Sequence, residues 1–505
     1  MTHSGKIIRN SVFSIFNKIV TILLAFVSRK LFIMFLTEEL LGLNSLFADL
    51  LGLLNLADMG LGIAVQFDLY KPIAEKNYEK IGRILNATKR IYNIIGIGMI
   101  AVGVVLSFFI QFLIKENPYS QSFLQIVFII NVISSAASYF FVHKRIYLQA
   151  CEELHLMYII DTVINILGSV LKIAAIAIFK NYYIFVLLSA AQGVVANFVI
   201  SYFCDKNHKY LKDIKGFGKE ETGPLFANIK QLIPNKISAY VFSNTDNTII
   251  SAFLGLTTVT VFTNYNSIVL QLFTLATMLA GIIRAAFGNV LQETDDKQRH
   301  IFLLKSYQIF QFIYSSFCAV ELVLLLDDFI LLWYGEKFVA PFAFVVILVF
   351  DFFLHSMYQP LSIMLEVLGE FRSLKRQEIF VMIVNLVISI GLIFPFGLIG
   401  PIMGTFVVDI FTTVFRIYSV IYKYYREYFW DYVKKYTSYT VLFLLEAVGV
   451  YGLFKLIDLT PSVPVFLIKG IVCAVIIAAV SLIFFWRQEE FKYIKNRLIH
   501  LGKGQ

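Results

Sequence analysis

In this chain of 505 residues, 58% are hydrophobic, 16% are aromatic and only 15% are charged. A soluble domain sits nearer 45–50% apolar and about 25% charged, so the composition excludes an ordinary soluble enzyme and indicates a polytopic membrane protein. The net charge of +9 could suggest a nucleic-acid partner, but the basic residues fall in short segments between apolar runs, and no nucleic acid is expected. Cys151, Cys204, Cys318 and Cys473 lie far apart without a CxxC pair, which indicates neither a disulfide framework nor a metal site. Lys6 and Arg9 precede the first apolar run, yet no small-residue cleavage site follows, so this run is expected to be an uncleaved first span.

The first span, residues 9–36, is long enough to cross a bilayer and still carries Lys18, Arg29 and Lys30. A basic side chain at the centre of such a span costs about 2.5 to 3.5 kcal/mol unless it faces water or a partner. Lys18 and Arg29 are eleven residues apart, hence within about 20° of one helix face. That face is expected to line a polar cavity.

Thirteen further candidate spans follow at 41–70, 90–114, 122–143, 156–179, 182–203, 228–254, 260–290, 305–330, 342–366, 378–394, 398–421, 439–457 and 464–486. With the N-terminus inside, 32 of the 43 Lys and Arg lie in inner segments, while the outer connections hold only Lys115, Lys180 and Lys337. This asymmetry places both termini in the cytoplasm. The basic loop 204–227 divides the chain after an even number of spans. Residues 9–70 laid over 227–288 align Asn17-Lys18-Ile19 with Asn235-Lys236-Ile237. The expected fold is therefore an all-α integral membrane protein of 14 transmembrane helices. Two six-helix lobes, 1–203 and 228–421, would be related by a pseudo-twofold along the membrane normal. A cytoplasmic amphipathic segment 422–438, two further helices in 439–486 and a basic tail 487–505 complete the plan.

Polar residues mark several spans. The second contains Asn44, Asp49, Asn55, Asp58, Gln66 and Asp68. In the fifth, Asp161, Asn165, Gly168 and Lys172 fall within about 60° of arc. The seventh carries Lys236, Tyr240, Ser243, Asp246 and Asn247, and the eighth Asn264, Asn266, Gln271 and Arg284. Lys18, Arg29, Lys172, Lys236 and Arg284, with Asn247 and Asn266, would give a common interior a positive potential suited to a phosphate or pyrophosphate. For Arg284 the competing reading is a side chain snorkelling to the inner surface. Asp58, Asp161, Asp246 and Asp351 are candidates for Na⁺ or H⁺ coupling, as are His355, Glu366 and Asp409, although a structural ion pair would explain each as well. No phosphate-binding loop, metal cluster or nucleophile elbow occurs, so neither a resident cofactor nor a catalytic residue is expected.

Residues 28–83 carry a resemblance. Ser28-Arg29-Lys30-Leu31-Phe32, Leu41-Gly42-Leu43-Asn44-Ser45-Leu46-Phe47, Leu56-Ala57-Asp58-Met59-Gly60-Leu61-Gly62 and Leu69-Tyr70-Lys71-Pro72-Ile73-Ala74-Glu75-Lys76 resemble bacterial polysaccharide flippases of the multidrug/oligosaccharidyl-lipid/polysaccharide exporter superfamily. The turn that usually reads like Gly-Glu-Tyr-Gly is Thr37-Glu38-Glu39-Leu40-Leu41-Gly42 here. The resemblance implies two lobes around a central cavity, alternating access, and Arg29 facing that cavity. It also implies a polyprenyl-pyrophosphate-linked oligosaccharide, moved from the cytoplasmic to the outer leaflet of the bacterial inner membrane for capsule or surface polymers. Membrane lipid and other polysaccharide-assembly membrane proteins would be its partners. The alternatives are an ion-coupled multidrug antiporter of the same fold, and a membrane polymerase or glycosyltransferase. The first would favour an acidic cavity. The second would need a sizeable outer loop bearing catalytic residues.

Overall fold

An apolar run in hydrocarbon must satisfy its own backbone groups, which leaves the α-helix as its economical form. The computed structural model describes residues 3–55, 61–212, 245–293, 295–457 and 459–502, and among these it contains helices and no strand. Ten helices among the described residues are long and apolar enough to cross a bilayer. The helices fall into two compact units, residues 1–260 and 261–505.

In the first unit the order is α1 (His3–Phe35), α2 (Glu38–Leu54), α3 (Leu61–Ala74), α4 (Tyr78–Ser107), α5 (Gln121–Tyr139), α6 (Val142–Ala150), α7 (Leu154–Phe179), α8 (Tyr182–Asn207) and α9 (Asp246–Leu254). The expected second span is thus carried by α2 and α3, with residues 56–60 outside the description. Side-chain caps fix several starts. Thr37 accepts from the Leu40 amide, Asn77 from Lys80 at 3.0 Å, Ser120 from Phe123 at 3.3 Å, and Asn181 from Tyr183 at 2.8 Å. The Thr37-Glu38-Glu39 turn is therefore a capped helix start with two acidic residues in its first turn, where the helix dipole favours negative charge.

Among the described residues, two apolar cores hold this unit. One gathers Phe32, Leu43, Phe47, Leu124, Phe128, Val186 and Leu256. The other gathers Leu61, Val65, Ile81, Tyr92, Tyr139, Tyr147 and Cys204. Large apolar side chains elsewhere point outward, among them Ile97, Val105 and Phe109 beside α4 and Leu167, Leu171 and Ile178 on α7. An outward apolar face of that extent is what lipid-facing helices require.

The second unit comprises α10 (Leu256–Glu293), whose first residues belong to unit one, then α11 (Lys297–Trp333), α12 (Phe342–Met357), α13 (Gln359–Val367), α14 (Phe371–Phe396), α15 (Ile399–Ile417), α16 (Phe429–Ile457), α17 (Val463–Phe485) and α18 (Glu489–Gly502). Helix α11 is the axis of the unit. Its Phe312 meets the rings of Phe353, Tyr439 and Phe485, and Phe353 stacks on Phe443 at 4.0 Å. Helices α14 and α15 close on each other through Gly400 and Gly404, where a Cβ would meet the Leu392 carbonyl at 2.5 Å and the Ser389 hydroxyl at 2.3 Å. Outside the spans, Lys423 and Tyr424 donate to Glu370, and the hydrogen bond from Lys423 holds the Glu370 carboxyl below the ordinary carboxylate range.

Among the described residues of unit one, a very tight helix approach is at Gly42, where a Cβ would stand 2.0 Å from the Leu256 carbonyl oxygen. Thr260 bonds the Glu38 carbonyl across the same contact at 2.6 Å. Gly42→Ala should force these backbones apart and destabilise the solubilised protein by at least about 1–3 kcal/mol, the usual range for overpacking. Thermal unfolding in detergent checks this, and an unchanged midpoint would show that the approach is not held.

Candidate functional site

Helix α1 runs unbroken through the first span, so Lys18 and Arg29 do share a face, about 16 Å apart along the axis. It packs along α7, and Asn17 sets the register by donating to Thr162 Oγ1 at 2.7 Å and to the Tyr158 carbonyl at 3.4 Å. Arg29 lies twelve residues beyond Asn17, and Lys172 lies ten beyond Thr162. Phe185 of α8 ties the two levels together: it packs edge-on against Phe32 at 4.9 Å, and Lys172 Nζ sits 5.7 Å from its centroid. Lys18, Arg29 and Lys172 are all partly buried. Lys18 and Lys172 meet no carboxylate among the described residues. Among the described residues they are cations without counter-ions in a helix wall.

Other candidate residues are already engaged. Arg145 of α6 grips both oxygens of Asp161 at 2.9 and 3.0 Å and donates its Nε to Asn197 of α8 at 2.7 Å. Asn165 accepts from Gln192 at 2.9 Å, and Gly168 packs against the same glutamine. The polar stripe on α7 therefore faces α6 and α8 over its first turns and leaves Lys172 beyond them. Arg284 places its Nε 2.8 Å and a terminal nitrogen 2.7 Å from Glu366 Oε2, so its guanidinium fork is held by that carboxylate. Asn266 is partly buried on α10. Lys236 and Asp58 lie outside the described residues.

Two acidic groupings join residues that no sequence spacing connects. At the start of α9, Asn247 hydrogen-bonds Asp49 of α2, and Asp246 stands beside Asp49 with one oxygen buried and unbonded. In unit two, His355 Nδ1 lies 2.9 Å from Asp409 Oδ2 and 2.9 Å from the Tyr358 hydroxyl, which also reaches Asp409 at 3.3 Å. Asp351 stands near Tyr358, Arg416 donates to Gln377 at 2.8 Å, and the Phe273 ring caps His355 edge-on at 4.5 Å. Asp409 is fully buried. Asp49 stands among the polar residues of the second span, and nothing in that span marks the distant Asp246 and Asn247 as its neighbours. Among the described residues no His, Cys, Asp and Glu group is arranged to hold a metal ion.

The counter-ion pattern predicts opposite responses on the two sides of α7. Asp161→Asn strands the Arg145 guanidinium and should cost about 1–3 kcal/mol of stability, part of which Arg145→Gln restores. Lys18→Ala combined with Lys172→Ala removes two uncompensated charges and should leave the melting temperature unchanged or higher. A fall of several degrees in the double variant would show that these lysines have structural partners.

No known family profile matches the sequence, and no curated relative matches it. Solved structures do. The chain is similar to the lipid II flippase MurJ in an inward closed conformation, at 13% identity and a TM-score of 0.73, covering 95% of this chain and 100% of that one. It is also similar to an inward-facing multidrug resistance MATE family transporter of the MOP superfamily, at 16% identity and a TM-score of 0.62, covering 78% and 93%. A third is a MOP superfamily transporter from Pyrococcus furiosus whose binding pocket is described as reversed in polarity, at 17% identity and a TM-score of 0.52, covering 81% and 93%. The chain therefore has the helical membrane fold shared by the lipid II flippase and the MATE transporters.

Proposed function

We propose that this protein is a flippase for a polyprenyl-pyrophosphate-linked oligosaccharide, working in the bacterial inner membrane by alternating access and serving capsule or similar surface-polymer synthesis. Both termini would be cytoplasmic. The observation that carries the reading is the pair of half-buried lysines, Lys18 and Lys172, which meet no carboxylate among the described residues of the α1–α7 wall that also bears Arg29. A protein that keeps uncompensated cations in a membrane wall needs an anion to visit them. A pyrophosphate supplies that charge, and a guanidinium can meet it with two hydrogen bonds where an ammonium meets it with one.

The fold shared with the lipid II flippase supports the same direction. A drug antiporter of the MATE kind draws support from the Asp49–Asp246–Asn247 grouping, which would suit a cation. A polymerase or glycosyltransferase finds no extended connection to hold its chemistry between the described helices of unit two, where the links after α11, α14 and α16 are short.

A strain lacking the protein should accumulate complete lipid-linked repeat units confined to the inner leaflet. Arg29→Lys should restore export partly. Arg29→Ala, present at normal amounts, should lose roughly 10- to 150-fold of the transport rate, the size of one charge-assisted contact of about 1.5–3 kcal/mol. Shortened repeat units would instead indicate a missing transferase, and complete but unpolymerised units on the outer leaflet a missing polymerase.

A further inference from the structure

Ionisable groups also lie deep in the second unit, on a seam among α11, α16 and α17 that contains no residue assigned to substrate above. Helix α11 turns Ser316, Glu321 and Asp328 toward α16 and α17. From α17 come Lys469 and Cys473, and from α16 comes Glu446. Ring contact between Phe329 and Phe466 at 6.3 Å brings the ends of α11 and α17 to one side. Glu321, Glu446 and Cys473 are twelve, eleven and ten residues from Trp333, Ile457 and Val463, so each lies about 15–18 Å in from its helix end. All three are near the middle of a hydrocarbon core about 30 Å thick.

The charges on this seam do not balance. Lys469 is spent on Asp328, its Nζ 2.7 Å from Oδ2. Among the described residues, Glu321 and Glu446 have no cation within ion-pair distance. Glu321 accepts a hydrogen bond from the Cys473 thiol, which also lies within the field of Glu446. Glu446 accepts from the Ser316 hydroxyl through Oε2 and is only 6% exposed. Its Oε1 is buried with no hydrogen-bond partner. Nearby, Tyr314 uses its hydroxyl on the Leu272 carbonyl at 2.5 Å, and Cys318 adds another neutral thiol beside Glu321. Among the described residues, the two carboxylates at mid-membrane thus face hydroxyls and thiols.

An ionised carboxylate so placed forfeits its hydration with nothing to replace it, whereas the protonated acid forfeits far less. Two like charges converging on one cysteine add to the penalty. We propose that Glu321 and Glu446 form a membrane-embedded proton-binding site on the α11–α16–α17 seam, holding at least one exchangeable proton at neutral pH. A sodium ion fits poorly. It wants about six hard oxygens, and the seam offers two carboxylates, one serine hydroxyl and soft thiols. The site stands independently of the flippase reading, since it rests on charge balance in unit two alone. Its use would follow from its place: α16 and α17 meet α11 through a contact whose charge changes by one when a proton leaves, so the seam gives a proton gradient a handle on these two helices.

The lipid-soluble reagent dicyclohexylcarbodiimide adds only to protonated carboxylic acids and suits a test on the intact protein in membranes. At neutral pH the wild type should carry the adduct on Glu321 or Glu446, located by peptide mass spectrometry, and labelling should fall severalfold on moving to alkaline pH. Glu321→Gln removes the like charge beside Glu446, so the labelling profile of Glu446 should move to lower pH, a shift that a purely structural carboxyl would not show. Absence of adduct on both residues in the wild type would overturn the proposal. Protection by added sodium at constant pH would overturn it in favour of a metal-ion site.

Discussion

The constraint on which this structure depends is the cost of placing charge in hydrocarbon. A lone ionised side chain at mid-membrane is unfavourable by several kcal/mol, so each one must acquire a partner, a proton or a visiting ligand. Most have partners within the chain. Arg145 closes on Asp161, Lys469 on Asp328, Arg284 on Glu366, and His355 on Asp409 and Tyr358. Such pairs join helices and fix their rotation, and breaking one leaves the other member exposed to the full penalty. The groups left over are then informative. Among the described residues these include Lys18 and Lys172 in unit one and Glu321 and Glu446 in unit two. On the readings proposed above, the lysines ask for an anion and the two glutamates for protons.

This division also explains how fold and site can part company. The helical frame is held by close approaches that few side chains can satisfy: Gly42 under the Leu256 carbonyl, Gly400 against Leu392, and Gly103, whose Cβ would meet Val132 at 2.6 Å. Polar caps such as Thr37, Asn77 and Asn181 start the helices without reference to what the protein carries. A frame specified by small residues, caps and lipid-facing apolar surface tolerates wide change elsewhere. Similarity at 13% identity with nearly complete coverage of both chains is consistent with that. On the reading proposed above, cargo is decided by the few ionisable groups that the frame leaves unbalanced.

Much of the frame was legible in the sequence because hydropathy and length alone dictate helices in lipid. The first helical span follows from hydropathy and the shared face of Lys18 and Arg29 from helical periodicity, and α1 is one continuous helix over both residues. The second span is carried by two helices, α2 and α3, which no hydropathy average could separate. Pairing was not legible, because a partner sixteen or eighty-two residues away in the chain leaves no local signature. Asp161 and Lys172 read as members of one stripe, yet Arg145 neutralises the first and leaves the second. Arg284 read as a cavity cation or a snorkelling one, and it is held by Glu366. Glu321 and Glu446 each look like a lone acid in an apolar run. Only the packing of α11, α16 and α17 brings both to Cys473. Lys236 and Asp58 lie outside the described residues, and the weight placed on the seventh span passes to α1 and α7.

The central claim is that unpaired cations on α1 and α7 await a pyrophosphate. Equilibrium binding of undecaprenyl pyrophosphate to the purified protein in lipid nanodiscs measures this directly, with undecaprenyl monophosphate and a hydrophobic quaternary ammonium ion for comparison. The account predicts that the pyrophosphate binds tightest and weakens with added salt. It further predicts that Lys18→Ala with Lys172→Ala lowers pyrophosphate affinity by at least about tenfold while leaving affinity for the ammonium ion unchanged. Equal binding of pyrophosphate by the wild type and the double variant, or preference of the wild type for the ammonium ion, would contradict it.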